Sequence, residues 1–154
     1  MSFFRLAFLF SVLLSFNSLA VYAAATTKEG MIKFVEEAAA FAKEKGKDAA
    51  LAEFQNKSGK FFRNGGELYM FAYDLNGVNL ALPTKPALKG QNLISMKDPD
   101  GVLIIQEFIK AAKLGKGEVK YKFTNPATEL VEPKLSYIIG MGDWLIGSGI
   151  YLGK

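Results

Sequence analysis

The sequence predicts an α+β domain in which one five-stranded antiparallel sheet packs against a long N-terminal helix. Apolar residues recur every three or four positions from Met31 to Ala42, which is typical of an amphipathic helix. From Gly65 onward the side chains alternate between two faces instead, which indicates strands. The links that follow these strands are short, and short links favour antiparallel pairing over a strict alternation of strands and helices.

The N-terminal residues, up to about Ala23, have the three-part pattern of a secretory signal peptide. A start that carries one charge, Arg5, precedes an apolar stretch, and small side chains follow it. A retained membrane anchor is the alternative. Polar residues within 15–18 interrupt the run of roughly 20 apolar residues that a spanning helix needs. We therefore expect residues 1–23 to be removed and residues 24–154 to fold as one domain.

Capping residues delimit the predicted helices. Thr27 precedes the first apolar stripe and Gly46 follows it, which predicts a long helix over 27–45. Asp48 is expected to cap a shorter helix that carries Leu51 and Phe54 on one side.

A further helix is predicted before Gly115, which is expected to end it. We expect Asp98 and Asp100 to cap this helix, because the spacing of a calcium-binding loop is missing. Its buried stripe consists of apolar residues at helical spacing: Ile104, Ile105, Phe108, Ile109 and Ala112.

Five strands are predicted between residues 65 and 152. The first, over 67–74, carries Tyr69, Phe71 and Tyr73 on one face, and the turn at Asn76-Gly77 leads into a return strand. Glycines in the last two strands indicate close approach of neighbouring groups rather than chemistry. The remaining strands are expected over 78–82, 118–124, 134–141 and 144–152.

The composition excludes several kinds of chemistry. The 154 residues include no cysteine and no histidine, so a disulfide framework, a cysteine or serine–histidine nucleophile and an ordinary zinc or haem site are excluded. We expect no metal site, no cofactor and no enzymatic activity. The formal charge of +4 is spread over single lysines, whereas nucleic-acid binders usually cluster lysine and arginine on one face. We therefore expect no nucleic-acid partner.

Aromatic residues on the predicted strands are the remaining signal. Most are expected to be core residues. Buried tyrosines need partners for their hydroxyls, however, so several on one sheet could line a small polar pocket. Lys134 stands at a strand start, where composition alone favours an exposed lysine. A buried Lys134 would instead need an anionic partner.

The order of the motifs resembles the Cache domains, a family of extracytoplasmic small-molecule sensors with a PAS-like sheet. The resemblance covers most of the chain after the leader, from 51 to 152. It rests on an ordered set of segments: YMFAYDLNG at 69–77, ALP at 81–83, LKGQN at 88–92, DPDG at 98–101, GKGEVKYKF at 115–123, NP at 125–126, EPKLSY at 132–137 and GSGIY at 147–151. The match is to a single Cache domain, as found in chemoreceptors, in sensor kinases and as stand-alone exported proteins.

The resemblance implies a periplasmic or secreted protein that binds a small organic ligand for sensing, and it implies which residues line the site. The ligand-binding residues expected on this basis are Phe71, Tyr73, Tyr121, Lys134 and Tyr151. Two positions depart from the pattern: Leu82 stands where many relatives have histidine, and Phe123 where they often have tryptophan.

Further expectations concern partners. A small organic ligand, such as a carboxylate, and a membrane receptor or sensor protein are the expected partners, and after signal cleavage the protein is not expected to be integral to the membrane. The alternative is a structural or interaction protein in which the pocket is filled by its own side chains.

Overall fold

The computed structural model describes residues 27–153, in which three α-helices surround a five-stranded sheet. The predicted signal peptide lies outside the described residues. Within them, no helix is long and apolar enough to cross a membrane. In chain order the elements are α1 (Lys28–Lys45), α2 (Lys47–Gln55), β1 (Phe62–Arg63), β2 (Leu68–Tyr69), β3 (Phe71–Asp74), β4 (Asn79–Ala81), α3 (Ile104–Lys113), β5 (Lys116–Thr124), β6 (Val131–Gly140) and β7 (Trp144–Tyr151).

The ends of α1 follow from its flanking residues. The Thr27 side-chain oxygen accepts a hydrogen bond from the backbone N–H of Gly30 at 3.0 Å. Gly46 follows the helix with φ at +86°, a conformation that glycine adopts without steric cost, and its N–H donates to the Ala42 carbonyl. Gly46 also starts α2, so Asp48 lies inside the first turn and the prediction that Asp48 caps this helix is wrong.

The five strands are arranged in the order β4-β3-β7-β6-β5, and each neighbouring pair is antiparallel. The last strand in sequence, β7, therefore lies between β3 and β6 at the centre of the sheet. This arrangement, with the long α1 packed against it, confirms the predicted α+β fold with a PAS-like antiparallel sheet.

The strand predicted over 67–74 is divided in two. β2 pairs with the short β1, and the Met70 N–H donates to the Phe61 carbonyl at 3.2 Å. β3 pairs instead with β4 and β7. The alternation of side chains continues across the division, so the sequence pattern alone does not show that the backbone changes its partner there.

The alternation places two different cores on the two faces of the sheet. Leu68, Met70 and Ala72 face α1 and pack with its apolar stripe. Tyr69, Phe71 and Tyr73 face α3 and the segment that precedes it. The α1 stripe that packs on the first face consists of Met31, Phe34, Val35, Ala38, Ala39 and Ala42, all of them buried.

Asp98 does not cap α3, contrary to prediction, and neither does Asp100; Leu103 holds the cap position without a side-chain bond. The Asp98 carboxylate accepts backbone N–H bonds from Asp100 at 2.9 Å, Val102 at 2.8 Å and Lys122 at 2.9 Å. Burial opposes its negative charge, but these three donors outweigh burial and hold the pKa of Asp98 below its ordinary value. Asp98 thus fastens the segment before α3 to strand β5.

Candidate functional site

Strand β6 brings three of the predicted site residues into one row. Lys134 pairs with Tyr121 on β5 and with Tyr151 on β7. Paired residues on neighbouring strands project from the same face of a sheet, so these side chains lie side by side. Phe71 and Tyr73 stand on the same face, on β3. The fold therefore places all five predicted residues on the face that α3 covers.

Lys134 is the centre of this row and is buried, with 1 % of its surface exposed. The exposed position favoured by composition is therefore wrong. Its Nζ donates hydrogen bonds to the hydroxyls of Tyr69 at 2.9 Å and Tyr151 at 3.3 Å. It also lies 4.4 Å and 4.5 Å from the centroids of these two rings, which gives cation–π contacts.

The charge of Lys134 has no carboxylate partner in the described part of the chain. None of the ion pairs formed within residues 27–153 includes it. Removing an ammonium from water without an anion is costly, and neutral phenol oxygens offset that cost only in part. The site therefore holds uncompensated positive charge.

Two glycines of β7 make room for the site side chains. A Cβ at Gly149 would collide first with the Ser136 Oγ, and it would lie 2.7 Å from the Leu135 carbonyl oxygen and 2.8 Å from the Lys134 Cε. A Cβ at Gly147 would lie 2.7 Å from two atoms of the Phe71 ring. All of these distances are below van der Waals contact, so the close approach that the glycines indicate includes that of Lys134 and of Phe71, beside Ser136 and Ile138.

The two phenols that contact Lys134 differ in their electrostatics. Burial favours the neutral form of Tyr69, but the Lys134 charge and hydrogen bond oppose burial, and the pKa of Tyr69 is lowered. Burial raises the pKa of Tyr151, and a charge on Tyr69 would raise it further. Lys134 lies closer to Tyr69, while the Tyr151 hydroxyl donates to the Thr124 carbonyl at 2.7 Å. The pKa of Tyr69 therefore lies below that of Tyr151, and Tyr151 remains a neutral donor.

Two further tyrosine hydroxyls stay neutral beside this pair. The Tyr121 hydroxyl shares a 2.9 Å hydrogen bond with the Ser136 hydroxyl, and burial raises the pKa of Tyr121 well above its ordinary value. Burial likewise raises the pKa of Tyr73, although its contact with Asn79 acts in the opposite sense. Neutral phenols donate hydrogen bonds, so this face offers donors as well as a cation.

Aromatic rings close the remaining space. Phe108 of α3 stacks on Phe71 with ring centroids 5.0 Å apart, and it meets Tyr121 edge-on at 5.3 Å. The cavity left between the sheet, α3 and the segment before α3 measures about 10 Å³, which is about the space one water molecule needs. The cavity is lined by Tyr69, Phe71, Tyr73, Leu82, Met96, Ile104, Ile105, Phe108, Tyr121 and Phe123.

Sequence reasoning missed two residues of this site. Tyr69 is 1 % exposed and provides the shortest contact to Lys134; its place in the alternation, on the same face as Phe71 and Tyr73, is the signal that could have found it. Thr84 has a buried hydroxyl without a hydrogen-bond partner in the described residues, yet it lies close enough to the Tyr69 hydroxyl to lower its pKa. Nothing in the sequence pattern indicates that position.

A larger depression of about 280 Å³ lies beside Tyr151, outside the aromatic cavity. Two carboxylates, those of Glu67 and Glu132, line it together with Asn125. Negative charge at its surface does not suit an anionic ligand, so we place the candidate site at Lys134 and not at this larger depression.

Comparisons with known proteins agree with this class of fold. The model of the family "Single Cache domain 2" matches residues 19–154. The chain therefore belongs to the single Cache domain 2 family. It is homologous to the sensor domains of chemoreceptors and of a histidine kinase, and Cache domains of chemotaxis receptors bind ligands and are not enzymes.

Two relatives illustrate this homology. The sensor histidine kinase MctS of Rhizobium johnstonii is 37% identical over 90 residues, which are 57% of this chain and 20% of that protein. The methyl-accepting chemotaxis protein McpP of Pseudomonas putida is 32% identical over 87 residues, 54% of this chain and 16% of that protein. The chain thus matches a fifth or less of the length of these relatives.

Solved structures extend the likeness to most of the fold. A methyl-accepting chemotaxis protein from Vibrio parahaemolyticus superposes with a TM-score of 0.70 at 28% identity, covering 81% of this chain and 88% of that one. A Cache chemosensory domain, solved as the structural basis for carboxylic acid recognition, gives a TM-score of 0.62 at 28% identity, covering 87% and 89%.

Proposed function

We propose that this domain binds a small organic anion, a carboxylate of a few carbon atoms, at Lys134. The observation that carries the proposal is the buried ammonium of Lys134, which has phenol oxygens but no carboxylate within reach in the described residues. A ligand carboxylate would supply the missing charge and accept a charge-assisted hydrogen bond.

Each predicted residue has a distinct role in this proposal. Lys134 pairs with the carboxylate, and the hydroxyls of Tyr121 and Tyr151 donate to its oxygens. Phe71 and Tyr73 form the wall against which the apolar part of the ligand packs. A few convergent polar groups in an apolar surround are what small-molecule sites usually contain.

The ligand requires an open form of the domain, because the cavity of about 10 Å³ is too small for any carboxylate. The segment over 82–96, which precedes the Asp98 bonds to β5, contributes Leu82 and Met96 to the closed cavity, and it is irregular apart from a short 3-10 turn. Displacing it would open the aromatic face while the sheet that holds Lys134 keeps its pairing. Binding therefore shifts the domain from a closed to an open arrangement.

The relatives support a sensing purpose. Sensor domains of this family occur in receptors and kinases, and one structural neighbour is known for carboxylic acid recognition. We propose an exported, periplasmic or secreted protein that is not an enzyme and that presents its ligand to a membrane receptor or sensor protein. Intact-mass measurement on protein exported by its native host tests the export, since a mass that includes residues 1–22 would contradict it.

Thermal unfolding in the presence of a panel of one- to four-carbon carboxylates and of amines tests the binding. A ligand at a hundred times its dissociation constant should stabilise the domain by about 2.7 kcal/mol, which is roughly 5–15 °C at this size. Lys134→Met should abolish the shift. Lys120→Met, which removes an exposed lysine of the neighbouring strand, should keep it. A carboxylate that stabilises Lys134→Met as much as the parent chain would refute this site.

One observation favours a second candidate function. The aromatic face is already filled by its own rings, with Phe108 stacked on Phe71 at 5.0 Å. A structural or interaction protein with a closed core would look the same in the absence of ligand. The carboxylate panel separates the two, because such a protein would show no shift with any compound.

A further inference from the structure

We propose that Lys85 is the entrance cation of the Lys134 site: it draws an anionic ligand to the protein surface at Phe123, the ring that both lysines contact. This inference rests on the proposed function and names the route by which the site is filled. Lys85 acts on the encounter with the ligand. Substituting it should therefore change the association rate constant, which substituting a wall or core residue would not do.

Phe123 lies within cation–π distance of two ammonium groups. The Nζ of Lys85 is 4.7 Å from the centroid of the Phe123 ring, and the Nζ of Lys134 is 5.6 Å from the same centroid. The two charges therefore lie within about 10 Å of each other, which is about the screening length at 0.1 M salt. Their positive electrostatic potentials add at this ring.

Neither cation is neutralised by a neighbour in the described residues. The ion pairs within 27–153 include neither Lys85 nor Lys134. Two like charges on one ring repel each other, and only the weak attraction of the ring offsets this. An anion that arrives from solvent removes the repulsion, so the location is attractive to negative ligands in particular.

The backbone fixes Lys85 at the rim of the site. Its N–H donates to the Leu82 carbonyl at 3.0 Å, and its own carbonyl accepts from Leu88 at 3.0 Å. Leu82 lines the closed cavity, and Thr84, beside Tyr69, immediately precedes Lys85. Lys85 is half-buried, and its ammonium lies over the Phe123 ring. Displacement of the segment over 82–96 would move Lys85 away from Phe123 and uncover the path to Lys134.

Stopped-flow kinetics with the carboxylate that stabilises the parent chain most in the thermal screen provides the test. Lys85→Gln should lower the association rate constant about two- to threefold in dilute buffer, and Lys85→Glu about fivefold, since one unit charge is removed or reversed within several ångströms of the path. Both differences should vanish in 1 M salt, where the screening length falls to about 3 Å. Dissociation rate constants should change less than association rate constants.

Lys60 provides a matched control, because its Nζ lies 3.8 Å over the Phe41 ring on the other side of the domain. Lys60→Gln removes the same kind of lysine–phenylalanine contact and should leave both rate constants unchanged. If Lys85→Glu binds the carboxylate as fast as the parent chain does, the entrance role is overturned and the binding site is unaffected. A salt-independent rise in the dissociation rate constant would also overturn it, because Lys85 would then contact the bound ligand. If the parent chain binds no carboxylate, the proposed function and this inference both fail.

Discussion

Replacing Lys134 by methionine should make the unliganded domain more stable. Methionine keeps most of the bulk of the side chain and removes an ammonium that is buried without an anion in the described residues. Replacing buried charged groups by apolar ones of similar volume is often stabilising by about 1–4 kcal/mol. One opposing effect is expected: the Tyr69 hydroxyl loses its 2.9 Å donor, and an unsatisfied buried hydroxyl costs about 1–3 kcal/mol.

A double variant separates these two effects. Tyr151 still donates to the Thr124 carbonyl in either variant, so Lys134→Met combined with Tyr69→Phe leaves no phenol of this pair unsatisfied. We expect the double variant to exceed the parent free energy of unfolding by about 1–3 kcal/mol in urea denaturation without ligand. If both variants lose about 3 kcal/mol or more of the free energy of unfolding, the reasoning is refuted. Such a loss would mean that Lys134 stabilises the unliganded core.

Three further predictions concern the fold. Phe34→Ala should lower the free energy of unfolding by about 3–5 kcal/mol, because Phe34 is 1 % exposed and packs edge-on against Phe61 at 5.7 Å. Urea denaturation measures this loss, with Lys33→Ala at an exposed position as the control. A loss near zero would place α1 in solvent. Gly149→Ala should cost about 1–3 kcal/mol through overpacking against the Ser136 hydroxyl, the Leu135 carbonyl and Lys134, and an unchanged melting temperature would contradict this. Asp98→Ala should destabilise the domain at neutral pH. Because the pKa of Asp98 is lowered in the folded domain, its contribution to the free energy of unfolding is complete above the ordinary pKa of about 3.9 and is lost as pH falls through the folded value. A difference between Asp98→Ala and the parent chain that stays constant from pH 7 to pH 2 would be inconsistent with the three N–H bonds.

The fold could be predicted largely from local patterns. The α1 stripe and the alternation at 68–73 report directly which side of an element is buried, and the structure packs them as that pattern requires. The errors arose where one residue has two possible partners. Asp98 precedes a helix, as a capping residue does, yet its carboxylate bonds the N–H of Lys122 on a strand distant in sequence. No local pattern distinguishes a helix cap from such a long-range bond.

The site was only partly predictable for the same reason. The motifs and the resemblance placed Tyr121, Lys134 and Tyr151 on three strands, and register then made them neighbours. The depth of burial of Lys134 depends on the absence of a side chain at Gly149, which a composition argument does not contain. Tyr69 and Thr84 reach the site from segments whose approach depends on the packing of the whole domain.

The closed cavity and the buried cation are easier to explain together than separately. In the closed arrangement the hydroxyls of Tyr69 and Tyr151 act as the oxygen ligands of Lys134. A bound carboxylate would take their place, and the Tyr151 hydroxyl would exchange its bond to the Thr124 carbonyl for one to the ligand. The domain then exchanges one set of hydrogen bonds for another, and only the difference between the sets contributes to affinity. The ammonium keeps an oxygen ligand in both arrangements. The closed form can therefore exist without ligand and still open when an anion binds. A core filled only by apolar side chains would gain nothing from opening to an anion.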